Sequence, residues 1–208
     1  MKKLLLIGLF FIATNANSQR ITTRKIVEIC DSIIKSKVGE NLSQYFTITT
    51  GHIYTEKSKY SKTFLNKKRT SRLFKSINIL YHFDYPKIKG IRGGVWLNVD
   101  KDFNLIDTLN FDFIPKFIVE NKPSEFISID SAMTVIKLNI KPNDYKISLP
   151  NLAYNYKIRQ YTYISTHDLT VILDDTGKDI GEYEIIEVNA MTGNIVSVDK
   201  GYKGIRIR

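Results

Sequence analysis

The chain predicts an α+β fold in which two units each pack one helix on an antiparallel meander sheet. Three observations carry this expectation. Apolar residues recur at helical spacing twice, in Ile26–Ile34 and again in Ile129–Ile140. Runs of β-branched and aromatic residues, broken by Gly, Asn and Asp, follow each helical stretch. Each half then reaches a hairpin with an Asx residue at its turn, the clearest being Gly181–Lys200, GEYEIIEVNAMTGNIVSVDK.

In chain order, residues 1–18 read as an export signal. Lys2 and Lys3 precede an apolar run from Leu4 to Ala13, and Ala16-Asn17-Ser18 supplies the small residues a signal peptidase reads. A run of this length falls well short of the roughly 20 residues that span a bilayer. The expectation is a protein exported to the periplasm or secreted, cleaved before Gln19, with no transmembrane segment in the mature chain. Of 31 Lys and Arg, removing Lys2 and Lys3 leaves 29 against 21 Asp and Glu, a net charge of +8. That surplus suits acidic partners and equally suits a basic protein with none. Cys30 is the single cysteine, so no internal disulfide can form and the apolar core must hold the fold.

Residues 19–110 form the predicted first unit. Thr22 or Thr23 caps a helix whose buried stripe is Ile26, Ile29, Cys30, Ile33 and Ile34, with Gly39 as its stop. Tyr45–Tyr54 reads as a strand with a bulge or turn at Gly51, and Ile77–Phe83 and Val95–Val99 as strands. Leu105–Leu109 is expected to return as another strand after the turn Asp100–Asn104. Between the first two strands lies KSKYSKTFLNKKRTSRLFK, Lys57–Lys75, basic throughout with no acid. It is either a solvated loop or a patch for an anionic polymer, with Lys67, Lys68, Arg69 and Arg72 as its cations and Tyr60, Phe64 and Phe74 interleaved.

Residues 111–127 are too rich in Phe and Ile for a free linker and are expected to pack as a connector. Residues 128–208 form the second unit. Ser128 caps a helix with the stripe Ile129, Ala132, Met133, Val135, Ile136 and Ile140, stopped by Pro142. Strands are expected at Tyr145–Leu149, Leu152–Ile158, Tyr161–Ser165 and His167–Asp174, before a turn at Asp175–Lys178. The final hairpin follows, and then a basic tail from Gly201 that frays. Asn98-Val99-Asp100 aligns with Glu187-Val188-Asn189, and Asn104-Leu105-Ile106 with Asn194-Ile195-Val196. The pattern is that of a weak internal duplication.

Ile129-Asp130-Ser131-Ala132 and the run from Glu184 to Val196 resemble the helix start and closing hairpin of the PepSY domain. In that family a strand leads into an Asp-Ala-x-Thr-Gly-x-Ile/Val turn; here Asn189 stands in place of the Asp. The resemblance covers roughly 126–200 and reaches the first half only through the repeat. It implies a non-catalytic binding module of the cell envelope, one that binds or inhibits a peptidase or peptide, with no catalytic residues to carry over.

Motifs for chemistry are sparse. His52, His82 and His167 lack metal-ligand spacing. Asp100, Asp102 and Asn104 have the spacing of a calcium loop, but Leu105 and Phe111 stand where Gly and Glu are required. No phosphate loop, nucleophile elbow or His-Glu-x-x-His occurs. No enzyme, cofactor or metal is expected. Tyr154 with Tyr156, and Tyr161 with Tyr163, fall in pairs on strand faces, with Lys157 and Arg159 between them. They are either cross-strand packing or a Tyr-lined basic groove for a peptide or glycan. The function expected is peptide or protein binding in the envelope, the alternative being a basic protein that holds an anionic glycan, lipid or nucleic acid.

Overall fold

The computed structural model describes residues 20–55, 62–71, 74–141, 143–173, 177 and 179–204. The fold is α+β and its sheets are antiparallel. The chain divides into two compact units. Among the described residues, one takes in those up to Phe83 with Gly94–Phe111; the other is Asp84–Gly93 with those from Asp112 onward.

In the first unit, β1 (Arg20–Thr22) leads into α1 (Thr23–Val38) and the single turn α2 (Glu40–Ser43). The Thr22 side chain accepts the Lys25 amide, a cap that contributes about 1 kcal/mol. Gly39, at φ +83°, ends α1. Ile26, Cys30 and Ile34 form its buried face. Burial, with Asp31 adding to it, pushes the Cys30 thiol up to about 12, so it is a packing group rather than a reactive one. β2 (Phe46–Tyr54), β3 (Lys62–Thr63), β4 (Arg69–Ser71), β5 (Ser76–Asp84) and β6 (Arg92–Asp100) follow. The sheet order is β3-β2-β5-β6, and β4 pairs with β1. The Tyr81 hydroxyl, on β5, donates to Asp31 at 2.7 Å and ties α1 to the sheet.

The bulge expected at Gly51 falls instead between Ile48 and Thr50. Gly51 stays in the ladder because the Phe64 ring lies on it; a Cβ there would come within 2.7 Å of that ring. The expected strand Leu105–Leu109 reduces to one bridge between Val99 and Leu105.

In the second unit, α3 (Lys116–Val119) lies within the apolar connector and buries Phe117 and Ile118. α4 (Ile129–Asn139) is capped by Ser128, which accepts the Ser131 amide at 3.1 Å. Its buried face is narrower than its sequence stripe: Ala132 and Ile136 are fully buried, whereas Ile129 is half exposed. It packs on two strands of a sheet made of β7 (Asn151–Asn155), β8 (Gln160–Asp168), β9 (Ile172–Leu173), β10 (Asp179–Asn189) and β11 (Ile195–Lys203). The order is β11-β10-β8-β7, with β9 beside the start of β10.

Four expectations here need correction. The strand placed at Tyr145–Leu149 is a single bridge from Ile147 to His167. The strand expected to run to Ile158 stops at Asn155, whose side chain accepts the Lys157 amide and turns the chain. The break expected at Thr166 lies later: Gln160–Asp168 is one strand, every residue from Thr162 to Asp168 having a partner on β10, and the second strand shrinks to β9, Ile172–Leu173, with Asp174 outside the described residues. Of the tail expected to fray from Gly201, the part up to Lys203 belongs to β11, and Lys203 pairs with Asp168 at 2.8 Å; residues 205–208 lie outside the described residues.

Candidate functional site

Alternation along β8 sends Tyr161, Tyr163, Ser165 and His167 to one face, and all four are buried. On β7, Tyr154 stands directly opposite Tyr161 and Leu152 opposite Tyr163. The Tyr161 hydroxyl donates to the Phe113 carbonyl at 2.6 Å, and the Tyr163 hydroxyl to the Ile127 carbonyl at 2.8 Å. The connector is therefore held down by two strand tyrosines.

At the end of this face the rings continue into a cleft. Tyr156 meets Tyr154 edge-on at 4.9 Å, Tyr154 lies 5.2 Å from Tyr161, and Tyr161 lies 5.3 Å from Phe126. Phe126 meets Phe117 edge-on at 5.0 Å. The cleft bounded by Tyr154, Tyr161, Phe126 and Phe117, of about 440 Å³, also takes in Met191, Gln160 and Asn189, a size within the range of small-ligand pockets. Its charged lining is mixed: Lys116 and Arg159 against Asp112 and Glu125. Arg159 lies 3.7 Å from Asp112, both well exposed, so this pair contributes little to stability.

Local sequence explains the shape. Arg159 takes a left-handed conformation, φ +55°, to close the four-residue turn between β7 and β8. The facing turn is built by Asn189, whose side chain accepts the amides of Met191 and Thr192. Gly193, at φ +75°, completes it. Asn189 also donates to Gln160 at 2.6 Å, joining the two turns across the cleft.

Burial raises the phenol of Tyr154, and Asp112 adds to the shift while Arg159 opposes it. Burial raises Tyr161 and Tyr163 as well. These phenols remain neutral at physiological pH; those of Tyr161 and Tyr163 act as hydrogen-bond donors, not as bases. The Tyr154 hydroxyl is shielded from solvent and makes no hydrogen bond. His167 is buried between Glu184 at 3.0 Å and Asn143 at 2.8 Å. It is sealed from any substrate. Among the described residues no group of three or more His, Cys, Asp or Glu is gathered, and no helix is long and apolar enough to cross a membrane.

The tyrosine positions singled out in the sequence thus separate. Tyr154, Tyr161 and Arg159 line the cleft. Tyr156 is largely exposed beside it, Lys157 is exposed on the turn, and Tyr163 is buried under the connector. Sequence reading missed Phe117, Phe126 and Met191. The apolar connector was the only signal, and it did not say which tyrosines it would meet.

The basic segment is partly folded into the first unit among the described residues. Phe64 and Phe74 are buried core, so neither ring can stack on a polymer. Residues 62–71 are not a free loop: the Thr23 hydroxyl donates to the Lys67 carbonyl, and the Thr23 amide to the Lys68 carbonyl at 3.2 Å. Lys67 and Lys68 themselves are exposed. Arg69 lies in β4, its backbone paired with Thr22. Arg72 and Tyr60 lie outside the described residues. Comparison with models of protein families, with curated proteins and with solved structures finds no match for this chain.

Proposed function

We propose that this is an exported, non-catalytic binding protein of the cell envelope, PepSY-like in its second unit, that holds a peptide or protein partner in the cleft beside Tyr154. The single observation that carries the reading is an aromatic floor beneath a rim of both charge signs. An extended peptide offers apolar side chains for such a floor and both charges and amides for such a rim. A polyanion would find no net positive charge there, because Asp112 and Glu125 offset Lys116 and Arg159. Export rests on the apolar run Leu4–Ala13 behind Lys2 and Lys3.

The test is a titration of the purified protein with a library of short peptides carrying one central aromatic residue, alongside a sulfated glycan. Peptide binding is expected to change little with salt and to weaken at least about tenfold in Tyr154→Ala and in Met191→Glu. Binding of the glycan alone, falling steeply with salt and indifferent to both substitutions, would overturn the reading in favour of a basic polyanion-binding protein acting through Lys67 and Lys68.

A further inference from the structure

The five-stranded sheet of the second unit has two edges, and they are treated differently. The β7 edge is covered: the turn around Gly90, at φ +99°, lies so close that a Cβ there would come within 2.2 Å of the Leu152 carbonyl oxygen. The β11 edge has no strand beside it among the described residues. From Ser197 to Lys203 it holds a regular register with β10, without proline. Val198 and Tyr202, on one of its faces, are each 47% exposed. Long uncovered edges invite pairing, and folded chains usually blunt them.

We propose that β11 is a self-association edge, pairing antiparallel with β11 of a second copy about a two-fold axis at Gly201. In such a pairing the two facing residues lie on the same sheet face, so only registers centred on a residue are allowed. Centred on Asp199, two carboxylates face each other; centred on Lys200, two ammonium groups do. Centred on Val198, Asp199 faces Ser197 and no charge finds an opposite. Centred on Gly201, Asp199 faces Lys203 of the second copy, and Lys200 faces the ring of Tyr202. Symmetry repeats both contacts, and each is a favourable cross-strand pair.

Gly201 suits the axis, because the Tyr183 ring already fills the space above it. Lys203 keeps its bond to Asp168 while serving the second copy, since an ammonium has three donors. Edge lysines ordinarily discourage pairing; in this register alone, each of them has a partner.

Sedimentation of the purified protein at low salt, over a concentration series, tests this. The wild type is expected to form a dimer that weakens as salt is added. Asp199→Lys and Lys203→Glu each place like charges face to face and are expected to weaken the dimer on the order of tenfold or more. Mixed in equal amounts, the two variants present opposite charges at both positions and are expected to pair with each other. Circular dichroism and thermal unfolding check that each variant is folded. A wild type that stays monomeric throughout, including one whose β11 takes up an extended peptide instead, overturns the proposal. So does a dimer indifferent to both substitutions, or a mixture that fails to recover.

Discussion

The two units set a helix against an antiparallel meander in the same order, yet they treat their aromatic residues in opposite ways. In the first, the segment between β2 and β5 folds back: Phe64 lies on Gly51, and Phe74 meets Phe103 at 6.0 Å. Phe64 and Phe74 are sealed. In the second, the connection between β7 and β8 is a four-residue turn, too short to cover anything, and Tyr154, Tyr161 and Phe126 line an open cleft. A similar layout is thus compatible with sealed aromatics in one unit and an open, aromatic-lined cleft in the other.

The closing turns differ more subtly. Asp100 and Asn189 play the same part, each side chain accepting two amides of its own turn. Each turn is closed by the amide of that residue donating to the carbonyl of an asparagine, Asn104 at 2.9 Å or Asn194 at 2.8 Å. The residue before that asparagine is left-handed in both: Phe103 at φ +64° and Gly193 at φ +75°. One turn is titratable and the other is not.

Four measurements would break or sharpen the comparison. The largest effect is expected from Phe64→Ala, which removes a buried ring from the first unit and should cost about 3–5 kcal/mol in chemical denaturation. Tyr154→Ala, at the partly buried counterpart, should cost less, about 1–2 kcal/mol. Equal losses would end the distinction between sealed and open aromatics. Next, Tyr161→Phe keeps the ring but deletes the bond to the Phe113 carbonyl, and should lower stability by about 1 kcal/mol. No change in the denaturation midpoint would mean that the hydroxyl does not hold the connector.

Gly193→Ala comes third, at about 1 kcal/mol. Its new methyl would meet only Ile127, at an ordinary 3.6 Å, so the penalty is that of the left-handed backbone alone. A larger loss would point to a clash. The smallest effect is a pH dependence confined to the first turn. The Asn104 amide, above all, holds the Asp100 carboxyl below its ordinary value of 3.8. The turn's contribution is therefore complete above that value and is lost as pH falls through the lower folded one. Amide exchange at Asp102 and Asn104 should quicken in that acid window, while Met191 and Thr192 respond much less. Asp100→Asn should abolish the difference, and equal responses from the two turns would contradict it.

Local signals reached the helices and the final hairpin. Thr22, Gly39 and Ser128 act where their chemistry placed them, because capping and left-handed stops need only a few neighbouring residues. The cleft was half legible. Tyr154, Tyr161 and Arg159 stood out by alternation and charge, but nothing nearby in sequence announced that Phe117, Phe126 and Met191 would join them. Phe64 and Phe74 misled for the same reason, since a ring among lysines reads alike whether it faces water or a glycine on another strand.

What the sequence determined by itself was the alternation of element types, their caps and turns, and the fold class that follows. All of these depend on residues within one or two turns of each other. Which aromatics are sealed, which line a cleft, and which edge of a sheet is left uncovered were decided only when distant segments met. Burial is a property of what lies across the contact, and that partner is set by the tertiary fold rather than by the local pattern.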